Sequence, residues 1–520
     1  MKSSSCKNRN NQNSTMKKFL LPIIFFCSLP FLALSQTFEG TKIRMIAQDQ
    51  FSEGVEELIE FLKIPNIGSD PEQVEQNLKW CQNRFNNLNF ETQLIQTAAA
   101  PLLFAEKMLS PDKKTILFYL QIDGQPVDTT EWDQANPFIP VIKEIGADGS
   151  WKLVNWNPGD PLQEEWRIFG RSASDSKGPA TAFITALNYF NSNAQEEEYN
   201  IKVIMDFQEE LGSPTLAKAV EENESLLKAD MILIMDGTRH ISNWPTLTYG
   251  ARGIATATIR IFGPSSPLHS GQYGNYAPNP VYKAARFIAS LKDSSGRVLI
   301  PGFYDGINLS EEDKIALRSL PENEDSLKVR LGISQSEAVG SNYQESLQYP
   351  SLNIRGLRSA WVGSEVRTII PEEVEIEIDM RLVPETPGER MIKLLEGHLK
   401  SQGFYLVDSI PSAEERKIHP KIANLKYRLG SLPFRTEMNS ETGQFLNRAL
   451  KKVFGEKLVN MRTTGGSQPI APFVKTMNIP AVSIRIPNPD NSIHAPNENL
   501  RLGNFLEGIM MCLAILSEPQ

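Results

Sequence analysis

Hydrophobic and polar positions follow two different patterns along this chain. In the first pattern, short apolar segments are continuous, as in the strands predicted at 115–120, 201–207 and 231–235. Continuous apolar strands are typical of a sheet that is buried on both faces. Helices are predicted between these strands, at 179–190 and from residue 214. This alternation predicts an α/β protein with a mostly parallel sheet that is covered by helices.

The pattern changes in the middle of the chain. Residues 254–261 and 374–382 alternate apolar and polar positions, which is typical of strands with one buried face. A helical pattern follows each of them, at 281–291 and 389–401. Between these units, the polar stretch 293–349 predicts loops and short helices. Together these segments predict a smaller α+β domain whose sheet has one open face.

The first pattern returns towards the C-terminus, with a helix predicted at 440–454, a strand at 481–486 and a helix at 502–516. The simplest architecture is therefore an α/β domain that is interrupted by an inserted lid or dimerisation domain. The predicted limits, in chain order, are 36–248 for the first part of the α/β domain, 249–430 for the insert and 431–520 for the second part.

The first 35 residues resemble a signal peptide. Residues 16–18 (Met-Lys-Lys) give a basic start, an apolar run covers 19–32, and 33–35 (Ala-Leu-Ser) has the small residues of a cleavage site. The run is shorter than the roughly 20 residues that span a bilayer, which disfavours a membrane anchor. Cys27 within it leaves a lipoprotein as a further alternative. We expect an exported, periplasmic or secreted protein without a stable membrane span, from which residues 1–35 are removed.

Charge and cysteine content restrict the class of protein. The formal net charge of −9 at pH 7 argues against a nucleic-acid partner or an anionic membrane surface. Beyond the predicted signal peptide, Cys81 and Cys512 are the remaining cysteines, and two distant thiols form neither a disulfide framework nor a Cys-rich zinc site. A metal site in this chain would therefore consist of histidine and carboxylate ligands.

Polar and acidic residues gather where the first-pattern strands end. They are Gln121 and Asp123 after the first strand, Asp175 before the next helix, Glu209 and Glu210 after the second strand, Asp236 after the third, and His494 after the last. Ligand sites of open α/β sheets lie at the carboxyl ends of the strands. Carboxylates at one edge repel each other unless a cation neutralises them, and carboxylates with imidazole suit zinc or a similar divalent ion.

Several motifs resemble those of one enzyme family. They are Asn-Pro-Phe-Ile-Pro at 136–140, Gly-Arg at 170–171 with Asp-Ser-Lys-Gly at 175–178, His-Ser-Gly-Gln-Tyr-Gly at 269–274, Ile-Pro-Gly-Phe-Tyr-Asp at 300–305, Thr-Ile-Ile-Pro at 368–371 and Arg-Leu-Val-Pro at 381–384. The chain resembles the co-catalytic zinc metallopeptidases that include carnosine dipeptidases, aminoacylases, succinyl-diaminopimelate desuccinylase and the glutamate carboxypeptidases. It is most similar to the carnosine-dipeptidase branch.

The resemblance implies a hydrolase of peptide or N-acyl amide bonds in small substrates with a free carboxylate. Asp175 would bridge two divalent metal ions, expected to be zinc. Glu210 and His494 would complete one metal site, and Asp236 would serve the other. Glu209 would be the general base that accepts a proton from the attacking water.

The resemblance also implies substrate-binding residues in the inserted domain. His269 would stabilise the oxyanion of the neighbouring subunit's site, so we expect a homodimer. Thr368, Arg381 and Ser467 would hold the substrate, a small peptide or an N-acyl amino acid. Arg381 would pair with its terminal carboxylate through a bidentate fork.

One position departs from the family's pattern. The first strand normally ends in His-x-Asp, in which the His is a metal ligand and the Asp orients it, but here these positions are Gln121 and Asp123. An amide oxygen is a poorer zinc ligand than imidazole. We therefore expect one tightly bound ion and a weakened second site, with Asp123 left with nothing to orient. Three alternatives remain open: a substitute ligand such as His240, a lost second site that leaves a one-metal enzyme, or an impaired relative that binds peptides without turnover.

Overall fold

Helices and strands alternate along most of the described chain. The computed structural model describes residues 28–193 and 195–520, with only the backbone described for residues 28–38. Among these residues, no helix is both long enough and apolar enough to cross a membrane. The helices are α1 (Ser28–Leu62), α2 (Pro71–Asn87), α3 (Lys177–Ser192), α4 (Leu216–Glu222), α5 (Glu224–Leu227), α6 (Ser270–Tyr273), α7 (Pro280–Ala289), α8 (Glu311–Arg318), α9 (Glu324–Leu331), α10 (Tyr343–Ser346), α11 (Gly388–Ser401), α12 (Ala413–Ile418), α13 (Glu441–Phe454), α14 (Ala471–Thr476) and α15 (Leu502–Leu516).

The strands form two large sheets and several small ones. They are β1 (Glu91–Ile95), β2 (Leu102–Lys107), β3 (Thr115–Gln121), β4 (Val141–Ile145), β5 (Trp151–Leu153), β6 (Arg167–Phe169), β7 (Asn200–Asp206), β8 (Met231–Ile234), β9 (Thr246–Thr248), β10 (Gly250–Ala251), β11 (Gly253–Phe262), β12 (Leu268–His269), β13 (Ser351–Arg358), β14 (Ile369–Ile370), β15 (Glu373–Leu382), β16 (Tyr405–Leu406), β17 (Ile422–Leu429), β18 (Phe434–Arg435), β19 (Val459–Met461), β20 (Ala481–Arg485) and β21 (Asn499–Arg501).

The larger sheet has eight strands in the order β1-β2-β7-β3-β8-β20-β9-β19. Its middle strands β7, β3, β8 and β20 are parallel to one another. Antiparallel pairs flank them, β2 with β7 on one side and β9 with β20 on the other. The predicted fold class, an α/β protein with a mostly parallel sheet, is confirmed. The antiparallel edge strands lack the long apolar runs of the middle strands, and the sequence patterns did not predict them.

Helices cover both faces of the larger sheet. On one face α1, α3, α13 and α15 pack together over side chains such as Phe118 and Val203. On the other face, Leu216 of α4 and Phe473 of α14 lie in one core with Leu117. Consecutive strand residues such as Leu117 and Phe118 point to opposite faces. Both faces are therefore apolar, which explains the continuous hydrophobic runs of the middle strands.

The second large sheet has five strands in the order β13-β15-β11-β17-β16. Buried and half-buried positions alternate along β11 and β15, as the sequence predicts. The buried face packs against α7 and α11, through side chains such as Phe287 and Leu395. The other face carries a polar ladder, in which Thr258 donates to Glu377 and Arg260 to Glu375. One covered and one open face account for the alternating sequence pattern.

The chain leaves the larger sheet after β9, forms the five-stranded sheet with β11 to β17, and re-enters the larger sheet at β19. The domain limits predicted at 248/249 and 430/431 are compatible with this path and stay predictions. The predicted signal peptide, 1–35, lies largely outside the described residues. Its last part, from Ser28, belongs to α1.

Candidate active site

Parallel pairing brings the predicted site residues to one edge of the larger sheet. β3 ends at Gln121, which lies opposite Asp206 at the end of β7. Glu209 and Glu210 follow β7 in a short 3-10 turn, and Asp236 follows β8. Because these strands run in the same direction, their carboxyl ends meet at the same edge. The grouping that the sequence indicated therefore has a simple topological cause.

Asp175, Glu210 and His494 form a compact group, which we call the His494 site. Nε2 of His494 lies 2.9 Å from Oδ2 of Asp175 and 3.3 Å from Oε2 of Glu210. One ligand atom from each residue lies within 4.8 Å of the others. Hydrogen bonds to the two carboxylates raise the pKa of His494 to about 10. The carboxylates thus attract positive charge strongly.

The donor set of the His494 site fits a divalent metal ion. Two carboxylates and one imidazole are the ligands that zinc and similar ions prefer. Asp175 is buried, and burial is the first cause that raises its pKa, since a buried carboxylate is unfavourable without a cation. Oε1 of Glu210 is buried without a hydrogen-bond partner among the described residues. A cation at this site would satisfy both groups.

Glu498 holds the loop that presents Asp175. Its side chain is fully buried and pairs with Arg171, whose Nη1 lies 2.7 Å from Oε2. The backbone N–H groups of Ser172, Ser174 and Asp175 donate to the same carboxylate at 2.9–3.0 Å. One buried anion therefore fixes the loop before α3. A metal ligand that is held in this way needs little reorganisation when it binds an ion.

Asp123 has a structural partner that the sequence analysis did not foresee. Its Oδ1 accepts from the backbone N–H of Glu209 at 2.9 Å, and its Oδ2 accepts from that of Glu210 at 3.1 Å. The expectation that Asp123 has nothing to orient is therefore wrong. Asp123 holds the turn that carries the candidate base and a candidate ligand. Burial, followed by the charge of Asp206, raises the pKa of Asp123 to about 8.

The side chains around Gln121 and Asp236, which we call the Gln121 side, form a different environment. Gln121 is 1% exposed, and its Nε2 has no hydrogen-bond partner among the described residues. Both oxygens of Asp236 accept hydrogen bonds, Oδ1 from Ser176 and Oδ2 from Gln468, each at 3.1 Å. Ser483 in turn donates to Gln468 at 3.2 Å. Oγ of Ser176 also lies 3.0 Å from Oδ1 of Asp175, and its single proton can be donated to only one of the two carboxylates at a time. Gln468 is therefore the donor that belongs to Asp236 alone.

Glu209 lies beside both groups and is half-buried. Burial raises its pKa well above the usual range, and the charges of Asp236 and Asp175 add to that shift. A carboxylate whose pKa is raised towards neutrality is suited to accept and return a proton. The geometry is compatible with the predicted role of Glu209 as general base.

The predicted substrate residues fall into two pairs. Nη1 of Arg381, on β15, donates to Oγ of Ser467 at 3.1 Å. His269 and Thr368 lie together elsewhere, because β12 pairs with β14 and the N–H of Ser270 donates to the carbonyl of Thr368. Both His269 and Thr368 are exposed to solvent. Their exposure is compatible with contact to a second subunit.

His240 does not act as a substitute metal ligand in this arrangement. It is buried, with 3% of its surface exposed. Its Nδ1 lies 2.9 Å from Oγ of Ser242, and its Nε2 lies 3.0 Å from Oε1 of Glu322. Both ring nitrogens are therefore occupied in a buried polar network.

Three residues of the site had no assigned role in the sequence analysis. Glu498 follows His494 closely, but nothing in the sequence indicates that it contacts the loop of Asp175. Gln468 is a neutral residue of a long loop. Arg485 carried a usable signal, since it is a charged residue in the otherwise apolar segment 481–486.

Comparison with known proteins identifies the family. Residues 117–518 match the sequence model of Peptidase family M20/M25/M40. The chain belongs to this family. It is therefore a metallopeptidase, as the motif resemblance predicts.

Two relatives and one solved structure illustrate the similarity. The Beta-Ala-His dipeptidase of Mus musculus is 28% identical over 427 residues, covering 80% of this chain and 80% of the relative. The Cys-Gly metallodipeptidase DUG1 of Saccharomyces cerevisiae is 27% identical over 422 residues, covering 80% and 81%. The M20 family metallo-carboxypeptidase Sso-CP2 of Sulfolobus solfataricus has a TM-score of 0.71 and 27% identity, covering 90% of this chain and 99% of that one.

The prediction of an exported, periplasmic or secreted protein is wrong. The relatives that cover 80% of the chain are dipeptidases of mammals and yeast, and the family match begins only at residue 117. In the structure, residues 33–35 of the predicted cleavage site lie inside α1, which continues to Leu62. An apolar run followed by small residues is equally compatible with a helix, so the local pattern did not distinguish the two.

Proposed function

We propose that this metallopeptidase hydrolyses dipeptides and related small amides that carry a free carboxylate, with one divalent ion, zinc, held by Asp175, Glu210 and His494. The observation that carries the proposal is the His494 site with Glu209 directly beside it. The names of the mouse and yeast relatives, both dipeptidases, support a dipeptide as substrate. N-acyl amino acids share the amide and the carboxylate and form the second group of candidate substrates.

Each residue of the site has a defined task in this proposal. A bound divalent ion supplies Lewis-acid chemistry, which makes water more acidic and polarises a carbonyl. Glu209 accepts the proton of the attacking water and transfers it to the leaving amine, a task that suits its raised pKa. Asp123 keeps Glu209 in position through the backbone of the turn. Glu498 does the same for Asp175.

Arg381 and Ser467 are the proposed binding site for the substrate carboxylate. Their contact at 3.1 Å joins β15 of the five-stranded sheet to the loop before α14 of the α/β unit. A carboxylate between them would accept from both side chains and connect the two units. The planar guanidinium offers two parallel donors, which match the two carboxylate oxygens.

His269 is proposed to act on the site of a second subunit in a homodimer. The support is its exposure, together with the motif resemblance at 269–274. Mixed dimers of inactive His269→Ala and Glu209→Gln chains would then contain one site with both residues intact. Recovery of part of the activity on mixing is expected. No recovery, when subunit exchange is verified by mass, argues against action across the interface.

The central test is hydrolysis by the zinc-loaded full chain. We expect turnover of free dipeptides, slower turnover of their C-terminal amides, and one zinc ion per chain after dialysis. Hydrolysis is measured as released amine. The control variant is Glu221→Gln, which makes the same kind of substitution at an exposed glutamate of α4. No hydrolysis by a folded protein that contains its ion would contradict the proposal.

A peptide-binding protein without turnover is the second candidate. The position of Gln121 supports it, because an amide stands where the family resemblance implies a histidine ligand. Calorimetric binding of a dipeptide by a chain that does not cleave it would support this candidate over hydrolysis.

A further inference from the structure

Arg485 is a buried cation at the end of β20, next to the Gln121 side. It is 6% exposed, and its Nε and Nη2 atoms are buried without hydrogen-bond partners among the described residues. A guanidinium remains protonated in proteins. A buried charge of this kind is unfavourable unless opposite charge compensates it.

Arg485 forms no direct ion pair among the described residues, so opposite charge acts on it only at longer range. Asp236 and Asp175 are the charged groups that oppose the effect of burial on the pKa of Arg485. Arg239, the neighbouring buried arginine, instead has an ion pair with Glu507. Arg485 therefore depends on the site carboxylates, whereas Arg239 has its own partner.

Gly237 provides the space that this guanidinium occupies. A Cβ atom on residue 237 would lie 1.2 Å from Nη1 of Arg485 and 2.4 Å from its Cζ. Gly237 directly follows Asp236 and has a φ of +91°, a conformation that favours glycine. The guanidinium therefore lies against the backbone of the loop that carries Asp236. No side chain at 237 could coexist with it.

Three features of the Gln121 side thus disfavour a second metal ion there. The position of the expected histidine ligand is an amide, Asp236 already accepts a hydrogen bond from Gln468, and a fixed cation lies against the backbone of the loop. A second divalent ion would lose an imidazole and would also be repelled by the guanidinium. The residues present therefore do not fit a second metal ion.

We propose that Arg485, whose guanidinium lies against the backbone of Gly237, supplies a fixed positive charge next to the loop of Asp236 and keeps a second metal ion out, so that the protein is a one-metal peptidase. No imidazole is then needed at position 121. Arg485 touches neither the proposed ion nor the substrate and acts through its charge. The inference rests on the proposed His494 site.

The test is the zinc content of four full-length proteins after dialysis against metal-free buffer, measured by elemental analysis. They are the wild type, Gln121→His, Gln121→His with Arg485→Lys, and Gln121→His with Arg485→Met. We expect one ion per chain in the first three, since each retains a cation at 485. We expect two in the fourth, where a ligand is restored and the repelling charge is removed. Lysine is the matched control because it keeps the charge.

Several outcomes would overturn the inference. Two tight ions in the wild type or in Gln121→His would show that Arg485 does not exclude the second ion. Two ions in the lysine variant, or one in a folded methionine variant, would show that the charge at 485 is not the cause. If the methionine variant does not fold, the wild type and Gln121→His still decide, because both keep the native packing of Arg485. Failure of the proposed hydrolysis appears separately, as absent dipeptide turnover with zinc content unchanged.

Discussion

The His494 site and the Gln121 side share Asp175 and one edge of the same sheet, yet they balance their negative charge in different ways. At the His494 site, two carboxylates converge on one imidazole, and a carboxylate oxygen of Glu210 remains without a partner. On the Gln121 side, Gln468 donates to Asp236, and Arg485 provides fixed positive charge next to the loop. The first arrangement suits an exchangeable cation, and the second suits a permanent one.

The two groups of side chains are held by separate contacts. The anchoring of Asp175 through Glu498 does not involve Gln121 or Asp236. The anchoring of Glu209 and Glu210 through Asp123 also does not depend on an imidazole at position 121. The turn that carries Glu209 and Glu210 can therefore keep its geometry when position 121 is not a histidine.

The largest effect is expected for Glu209, which lies beside both the His494 site and the Gln121 side. Glu209→Gln should reduce the turnover number by about 10²–10⁴-fold, because the amide cannot accept a proton. Zinc content and thermal stability should stay unchanged, since Glu209 donates only its backbone N–H to Asp123. Steady-state kinetics with Glu221→Gln as control measure the effect. Full activity in the purified variant would remove Glu209 from the mechanism.

The difference between the His494 site and the Gln121 side is tested by one substitution in each of them. His494→Ala removes one of three ligands and should weaken zinc binding by at least about 100-fold, more than loss of an outer-shell partner does. Asp236→Asn keeps the size of the side chain and should leave zinc affinity within about tenfold of the wild type. Competition with a chelator measures both affinities. Equal losses in the two variants would mean that Asp236 also holds the tight ion.

The substrate side is tested by Arg381→Lys. This variant keeps the charge but loses the planar fork, and a hydrogen bond between charged groups contributes roughly 1.5–3 kcal/mol. We expect kcat/KM for free-acid dipeptides to fall by about tenfold or more, and that for amidated dipeptides to change little. The ratio of the two values is the measurement. A uniform loss would indicate that Arg381 has a structural role through Ser467.

The smallest effect is the dependence of stability on pH. The pKa of Asp123 is about 8 in the folded protein, above the value of about 4 in an unfolded chain, and that of Asp175 is raised as well. The folded state then binds more protons, so the metal-free protein should lose stability as the pH rises from about 4 to 8. We expect its melting temperature to fall over this window, and zinc to reduce the fall. A melting temperature of the chelated protein that rises with pH would contradict this assignment.

Much of the fold follows from local patterns in the sequence. The middle strands β3, β7 and β8 are continuous apolar runs because both faces of their sheet are covered, and β11 and β15 alternate because one face is open. The helix predicted at 502–516 has the same limits in the structure. The strands β1, β2 and β9, which lie outside the central parallel strands, were not predicted, since such short strands depend on their neighbours more than on their own pattern.

The sequence by itself determined which chemical groups the sheet edge receives, because strand direction and strand ends are local properties. It also determined that an amide stands at position 121. Only the tertiary structure decided how these groups are paired. Glu498, Asp123 and Arg485 act on residues that lie far away along the chain or in other loops, and the charge that balances a buried carboxylate depends on distances that no local pattern contains. The exchange of an ion for a guanidinium is visible only when β8 and β20 lie side by side.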